Sequence, residues 1–228
     1  MMCRPTLSLC AALLLGLASP ALAAGPETQP AAPVTRGLYL QLIAQARADG
    51  RSRAALAYLD DFDRQYPGDV DARVLRINSL LDLGEIDKAE AAATALPAGN
   101  EGALAIVRGH LLVARGRWHD ALPYYRTALR VSPTDALLRN ALGYAELRAG
   151  ETAAAVETLR GAADLAPGEA VIRNNLALAL TLEGEPAQAA AILGTVTDTQ
   201  AKAQLSGQIL AEAARIKALA DTPARKGA

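Results

Sequence analysis

The chain has 228 residues and a formal net charge of −1, and it is 51% hydrophobic but only 4% aromatic. There is no basic excess of the kind that binds nucleic acid, and alanine and leucine must build most of the core. Both are strong helix formers, while residues that favour strands are sparse, so the composition predicts an all-α fold.

The first 23 residues have the features of a cleavable secretory signal peptide. Arg4 gives a short positive region, residues 7–18 form an apolar run, and small residues at Ala21 and Ala23 suit a signal peptidase. The apolar run is shorter than the about 20 residues that a membrane-spanning helix needs. We therefore expect cleavage near Ala23 and a periplasmic protein, with outer-membrane association left open. An uncleaved membrane anchor is the alternative.

Both cysteines, Cys3 and Cys10, lie inside that signal. The mature chain is therefore expected to have no disulfide, no thiolate nucleophile and no cysteine metal ligand. Lipidation at Cys10 is not expected, because the residue before it is Leu9 and most of the apolar run follows it. Residues 24–35, which are rich in proline, are predicted to form an extended tether.

The rest of the chain is periodic. Glycines recur at spacings of 34, 32, 34 and 34 residues, at Gly50, Gly84, Gly116, Gly150 and Gly184. Alanines follow five residues later, at Ala55, Ala89, Ala121, Ala155 and Ala189. Glycine lets a helix end turn back with positive φ, and small alanines let two helices approach closely. Each such hairpin leaves an apolar face that must be covered by the next hairpin.

This pattern resembles the tetratricopeptide repeat, TPR, whose period is 34 residues. Within the most regular unit, Leu142, Gly143, Ala155 and Pro167 occupy the positions of the repeat signature. The resemblance implies a superhelical solenoid of about five helix-turn-helix units, which we place at 36–69, 70–101, 102–135, 136–169 and 170–198. A capping helix at 199–220, with Leu205, Ile209, Ala213 and Ile216 on one stripe, and a tail at 221–228 are predicted to follow.

Two departures from the repeat pattern carry expectations of their own. The second unit is two residues short and its proline, Pro97, comes early, so we expect its second helix to be truncated. Arg76 and Arg108 stand where a core leucine is usual. We expect both side chains to extend their charged ends to the surface.

Residues that could perform chemistry are few. The chain has two histidines, His110 and His119, and neither has carboxylates or cysteines at a metal-ligand spacing. The glycines recur at repeat corners rather than in a phosphate-binding loop. We therefore expect no metal, no cofactor and no enzymatic activity.

What remains is binding of protein partners. In TPR arrays the first helices of the units line a concave face that holds an extended peptide or a partner helix. Mapping each unit onto that face predicts a partner-binding groove formed by Gln41, Asn78, His110, Asn140, Tyr144, Asn174, Asn175 and Leu178. Asparagine amides both donate and accept, which suits a peptide backbone. The alternative, left open for Asn140, Asn174 and Asn175, is that they satisfy polar groups between helices.

A narrower resemblance covers nearly the whole mature chain. The strings at 39–69, 140–151 and 174–193 resemble the TadD-type TPR protein of the tight-adherence (Flp/Tad) pilus system. That resemblance implies an envelope assembly factor whose partner is the pilus secretin or another pilus component. Members of that family are typically lipoproteins, and this chain departs from them in lacking a good lipidation site.

Other functions remain open from the sequence alone. A periplasmic chaperone or scaffold for another envelope assembly differs only in its partner. A hydrolase with an unrecognised site would depend on His110 or His119. Self-association through the terminal repeats is a further possibility that the pattern leaves undecided.

Overall fold

The computed structural model describes residues 33–99 and 102–221. The predicted signal peptide at 1–23, most of the tether and nearly all of the tail lie outside these residues. In the described residues there are eleven α-helices and no strand. Their bounds are α1 Pro33–Ala48, α2 Ser52–Gln65, α3 Val70–Asp82, α4 Ile86–Ala93, α5 Gly102–Ala114, α6 Trp118–Val131, α7 Ala136–Arg148, α8 Thr152–Leu165, α9 Ala170–Glu183, α10 Pro186–Leu193 and α11 Thr199–Asp221.

The helices pair into five successive hairpins, and each hairpin packs on the next. Asp69 and Asp135 cap two of the first helices: their carboxylates accept hydrogen bonds from the backbone N–H groups of Ala72 and Leu138, at 3.0 and 2.9 Å. Such caps satisfy N–H groups that have no partner inside the helix. The all-α solenoid predicted from composition and period is confirmed.

The corner glycines have the conformation that the period predicts. Gly150, for example, has φ of 87°, a left-handed backbone that L-residues with a Cβ adopt only with strain. Beyond each corner, the alanine five residues later is buried where the two helices of the hairpin meet: Ala55, Ala89, Ala121, Ala155 and Ala189. These small side chains allow the helices to pack closely.

The joints between units differ in chemistry along the array. Leu142 on α7 and Leu176 on α9 are buried, and Leu142 packs in a cluster with Leu122 and Tyr125 of the preceding hairpin. At the equivalent position, Arg76 on α3 pairs with Asp60 and Asp63 of α2, both at 2.9 Å. Arg108 on α5 donates to the carbonyl oxygen of Pro97 at 3.1 Å. Both arginines thus reach polar partners, as expected.

The helix bounds depart from the sequence expectation in two places. Helix α1 begins at Pro33, three residues before the predicted start of the first unit, because proline suits the first helical position, whose N–H has no partner. Helix α4 is short, as the early Pro97 predicts. Helix α10 is equally short, although the sequence pattern does not predict it; it ends at Leu193, directly before Gly194.

The two ends of the array are unlike. On α1, Leu38 and Leu42 are 61% and 51% exposed, although the residues at the same positions in the fourth and fifth units are buried. At the other end, α11 buries Ile209 and Ala213 in a cluster with α9, and Leu205 and Ile216 pack beside them. The predicted apolar stripe of the capping helix is confirmed. Among the described helices, none is long and apolar enough to cross a membrane.

Candidate binding groove

The first helices of the units lie side by side and form the inner face of the array. Helix α1 packs on α3, α3 on α5, and α7 on α9, as expected for a solenoid whose second helices lie outside. Seven of the eight predicted groove residues are on α3, α5, α7 and α9, and Gln41 is on α1. The two halves of this face differ, because α11 packs against only one of them.

The N-terminal half of the inner face contains an open cleft of about 320 Å³. It is lined by Arg47, Asn78, Leu81, Asp82, His110, Val113 and Ala114. A cation, an anion, an amide and an imidazole therefore lie beside three apolar side chains. Gln41 is exposed on α1 but is not among the residues that line the cleft.

Charged groups at one side of the cleft are paired. A guanidinium N–H of Arg47 donates to Asp82 Oδ1 at 3.2 Å, and Ser52 Oγ donates to Asp82 Oδ2 at 3.0 Å. The pair joins α1 to the C-terminal end of α3. Neither Arg47 nor Asp82 is among the predicted groove residues; their separation of 35 residues, about one repeat, is the signal that could have located them.

The two polar residues predicted in this half of the groove meet each other. His110 Nδ1 lies 3.0 Å from Asn78 Oδ1, and an amide oxygen is an acceptor only, so the imidazole donates. Burial, reinforced by the nearby positive charge of Arg47, lowers the pKa of His110 to about 4, although Asp82 opposes the shift. The ring is therefore neutral at pH 7, and its Nε2 is a hydrogen-bond acceptor.

The predicted asparagines of the C-terminal half differ in their contacts. Asn175 Nδ2 donates to Asn140 Oδ1 at 2.9 Å, which links α9 to α7 in the manner of the helix-to-helix alternative. Asn174 differs: its Oδ1 is buried and has no hydrogen-bond partner among the described residues. A buried acceptor without a partner is costly, so Asn174 marks a place where a ligand group would be favourable.

Tyr144 and Leu178 are covered rather than open. Leu178 is 5% exposed and belongs to the core cluster that contains Ile209 and Ala213 of α11. In this conformation Leu178 is therefore closed off by the capping helix, and its role in partner binding stays a prediction. Tyr144 packs against the same cluster and makes an edge-on contact with Trp118, with ring centroids 5.9 Å apart.

Arg148 connects the covered half of the groove to its surroundings. Its guanidinium lies 4.4 Å from the centre of the Trp118 ring and donates to the Tyr144 hydroxyl at 3.2 Å. It also lies 3.7 Å from Glu212 on α11. Neither Arg148 nor Trp118 is among the groove residues predicted from the sequence. The side chain of His119, beside Trp118, is 82% exposed in the first turn of α6. No group of three or more potential metal ligands occurs in the part of the chain that the structure describes.

Comparison with known proteins agrees with this geometry. Residues 106–170 match the family model described as the tetratricopeptide repeat. The fold is a TPR solenoid. No curated protein sequence matches the chain.

Solved structures with the same TPR architecture span most of the chain. A thermophilic TPR protein of Thermus thermophilus, TTC0263, has a TM-score of 0.63 and 24% identity, over 78% of this chain and 98% of its own. MamA of Desulfovibrio magneticus RS-1 has a TM-score of 0.52 and 20% identity, over 76% and 96%. YrrB, described as a TPR protein with an unusual peptide-binding site, has a TM-score of 0.50 and 20% identity, over 75% and 89%. At these identities the likeness establishes the fold.

Proposed function

We propose that this chain is an exported bacterial TPR adaptor that binds a segment of a protein partner on its concave face. The observation that carries the proposal is the open cleft between α1, α3 and α5, where polar and apolar side chains meet on a preformed surface. Recognition sites are typically concave, with a few fixed polar groups among apolar ones.

The chemistry of the cleft fits an extended peptide. Leu81 and Val113 offer apolar contact, while the neutral His110 offers an acceptor for a backbone N–H. The Arg47–Asp82 pair offers both signs of charge at the rim. Because the helices are already in place, little ordering is needed on binding, which favours affinity.

The cellular setting that we propose is assembly of a tight-adherence (Flp/Tad) pilus, with the secretin or another pilus component as partner. Its support is the resemblance of the strings at 39–69, 140–151 and 174–193 to the TadD-type proteins, together with the predicted secretion signal in the first 23 residues. The adaptor would work by docking, and it requires neither a cofactor nor a catalytic group.

Photo-cross-linking in the native cell tests this function. A photoreactive residue replaces Ala114 in the cleft, and a matched probe replaces exposed Glu157 on α8 as the control. We expect mass spectrometry to identify a pilus secretin or pilus subunit captured from position 114 only. Capture of another envelope protein from that position would support the adaptor function and contradict the proposed role in pilus assembly. Equal capture from both positions, or none, would reject the cleft as the working surface.

Export is tested separately by cell fractionation. We expect the mature protein to be released with the periplasmic contents by osmotic shock and to begin near residue 24 by N-terminal sequencing. Substitution of Ala23 by a bulky residue should leave a longer, unprocessed form in the membrane fraction. A full-length protein found in the cytoplasm would contradict the periplasmic proposal and leave the binding surface to be tested as above.

A further inference from the structure

Helix α11 does more than close the end of the array. It packs on α9 through Ile209 and Ala213, and its later part reaches α7, where Ile216 and Leu219 share a cleft of about 260 Å³ with Arg148. A helix that only continued the stack would contact the last unit, α9 and α10. Since α11 also reaches the fourth unit, it crosses the inner face of the array.

The residues beneath α11 are the ones that the repeat pattern assigns to partner binding. Leu178 and Tyr144 occupy equivalent positions on α9 and α7, and both pack against the cluster that α11 completes. Asn174 lies one turn before Leu178 on the same side of α9, and its Oδ1 has no partner among the described residues. Helix α11 thus covers the apolar part of this surface and leaves a polar group of it unsatisfied.

The attachment of α11 is amphipathic and carries a specific charge. Its apolar stripe consists of Leu205, Ile209, Ala213 and Ile216, at the spacing of one helix face. Beside the stripe, Glu212 accepts two hydrogen bonds of 2.8 Å from Arg215 of its own helix. The same carboxylate lies 3.7 Å from Arg148, which Trp118 and Tyr144 hold in place. A fixed cation beside an apolar channel selects a helix with an acidic residue next to its stripe.

We propose that the C-terminal half of the inner face is a helix-binding groove, that α11 is its displaceable internal occupant, and that the partner supplies an amphipathic helix with an α11-like stripe and an acidic residue facing Arg148. The proposal rests on the adaptor function proposed above and specifies the kind of partner. Displacement exchanges one helix for another on the same surface, so the net cost is the difference between their affinities. A partner helix that also donates a hydrogen bond to Asn174 Oδ1 would bind more tightly than α11 does.

The test uses the full mature chain and a fluorescent peptide of residues 199–221 as the probe. In a Glu212→Arg chain, the new arginine faces Arg148 and weakens the attachment of the chain's own α11. We expect this chain to bind the wild-type peptide at least tenfold more tightly than the wild-type chain does, by fluorescence anisotropy. A Lys217→Glu chain, altered at an exposed position of the same helix, should behave as wild type.

A charge swap establishes the site. An Arg148→Glu chain should prefer the peptide that carries Glu212→Arg over the wild-type peptide by at least tenfold. Equal binding of the two peptides would overturn the placement of the acidic residue. If neither variant chain binds peptide better than wild type, or if both fail to fold, α11 is a permanent part of the core and the proposal is wrong. Photo-cross-linking from position 114 does not involve α11, so it tests the adaptor function separately from this proposal.

Discussion

The imidazole of His110 is joined to the amide of Asn78 by a 3.0 Å hydrogen bond that links α5 to α3 across the inner face. The two residues come from consecutive units and occupy the same position in each. Their contact is therefore a polar ladder between neighbouring repeats, in the half of the groove that remains open. Because burial favours the neutral form of the imidazole, the stability of this region is sensitive to pH.

The first prediction concerns that sensitivity. The pKa of His110 is lowered to about 4, whereas an unfolded histidine titrates near 6.5. The unfolded state therefore binds more protons between these values, and stability is full above about pH 6.5 and falls as the pH drops toward 4. We expect a loss on the order of 1–3 kcal/mol across this window. Urea unfolding at successive pH values measures it, and NMR titration of the ring gives the pKa directly.

A His110→Gln variant provides the control for this effect. It keeps a polar side chain beside Asn78 but has no titrating group, so this part of the pH dependence should disappear. The second histidine, His119, is identified in the NMR spectra by a His119→Gln variant. An ordinary pKa near 6.5 for His110 would contradict the burial on which the prediction depends.

The second prediction concerns helix contact at Gly143. A Cβ added there would lie 2.6 Å from Leu159 Cγ, closer than packed atoms allow. Overpacking costs about 1–3 kcal/mol, against a gain of up to about 1 kcal/mol in helix propensity. We therefore expect Gly143→Ala to lower the free energy of unfolding by about 1–2 kcal/mol, measured in urea.

The matched control is Gly207→Ala on α11. Nothing lies within 4 Å of a Cβ at that position, so only the propensity gain should remain, and the variant should be as stable as wild type or up to about 1 kcal/mol more stable. If the two substitutions have the same effect, close packing at Gly143 is not what the glycine provides.

The third prediction concerns a carboxylate in the core. Glu146 is 4% exposed in its side chain, and its Oε1 accepts from Arg126 at 3.0 Å. The same position in the second, third and fifth units is leucine. Removing the arginine leaves a buried charge without its partner, and because Arg126 is half exposed we expect Arg126→Ala to cost about 1–3 kcal/mol. Chemical denaturation measures the loss.

Adding Glu146→Leu to that variant should recover the loss, because the buried charge is then gone and an apolar side chain fills the position. Glu146→Leu alone should be close to neutral. A double variant no more stable than Arg126→Ala would show that the arginine acts through other contacts, such as its bond to Glu151 at 3.2 Å. The double-mutant cycle separates the two contributions.

Most of the fold could be predicted from the repeat period of the sequence. Corner glycines and the alanines that follow them place the hairpins, since their roles depend on backbone conformation and size, both of which are local. The short α10 was missed because the proline that normally closes a unit is absent there, and the stop is Gly194 instead. A glycine that can end a helix is visible in the sequence, but whether the helix does end there depends on the packing around it.

The candidate groove was predictable only as a set of positions. Asn78 and His110 lie on the expected face, but that they would bond to each other, and that Arg47 and Asp82 would border them, depends on the angle between units. The covering of Leu178 by α11 depends on where a terminal helix comes to rest. A periodic pattern describes neighbours in the stack and contains no information on a helix that leaves it.

The arginines at the early joints of the array have a mechanical consequence. An adaptor fixed at one point and loaded at another carries tension along its axis. At Arg76 and Arg108 the units are joined partly by polar contacts, which exchange readily with water. At Leu142 and Leu176 the later units are joined by buried apolar surfaces, whose contacts are lost all at once when the units separate. We therefore expect the array to be more compliant toward its N-terminus than toward its C-terminus, and to yield under load from the end that begins with α1.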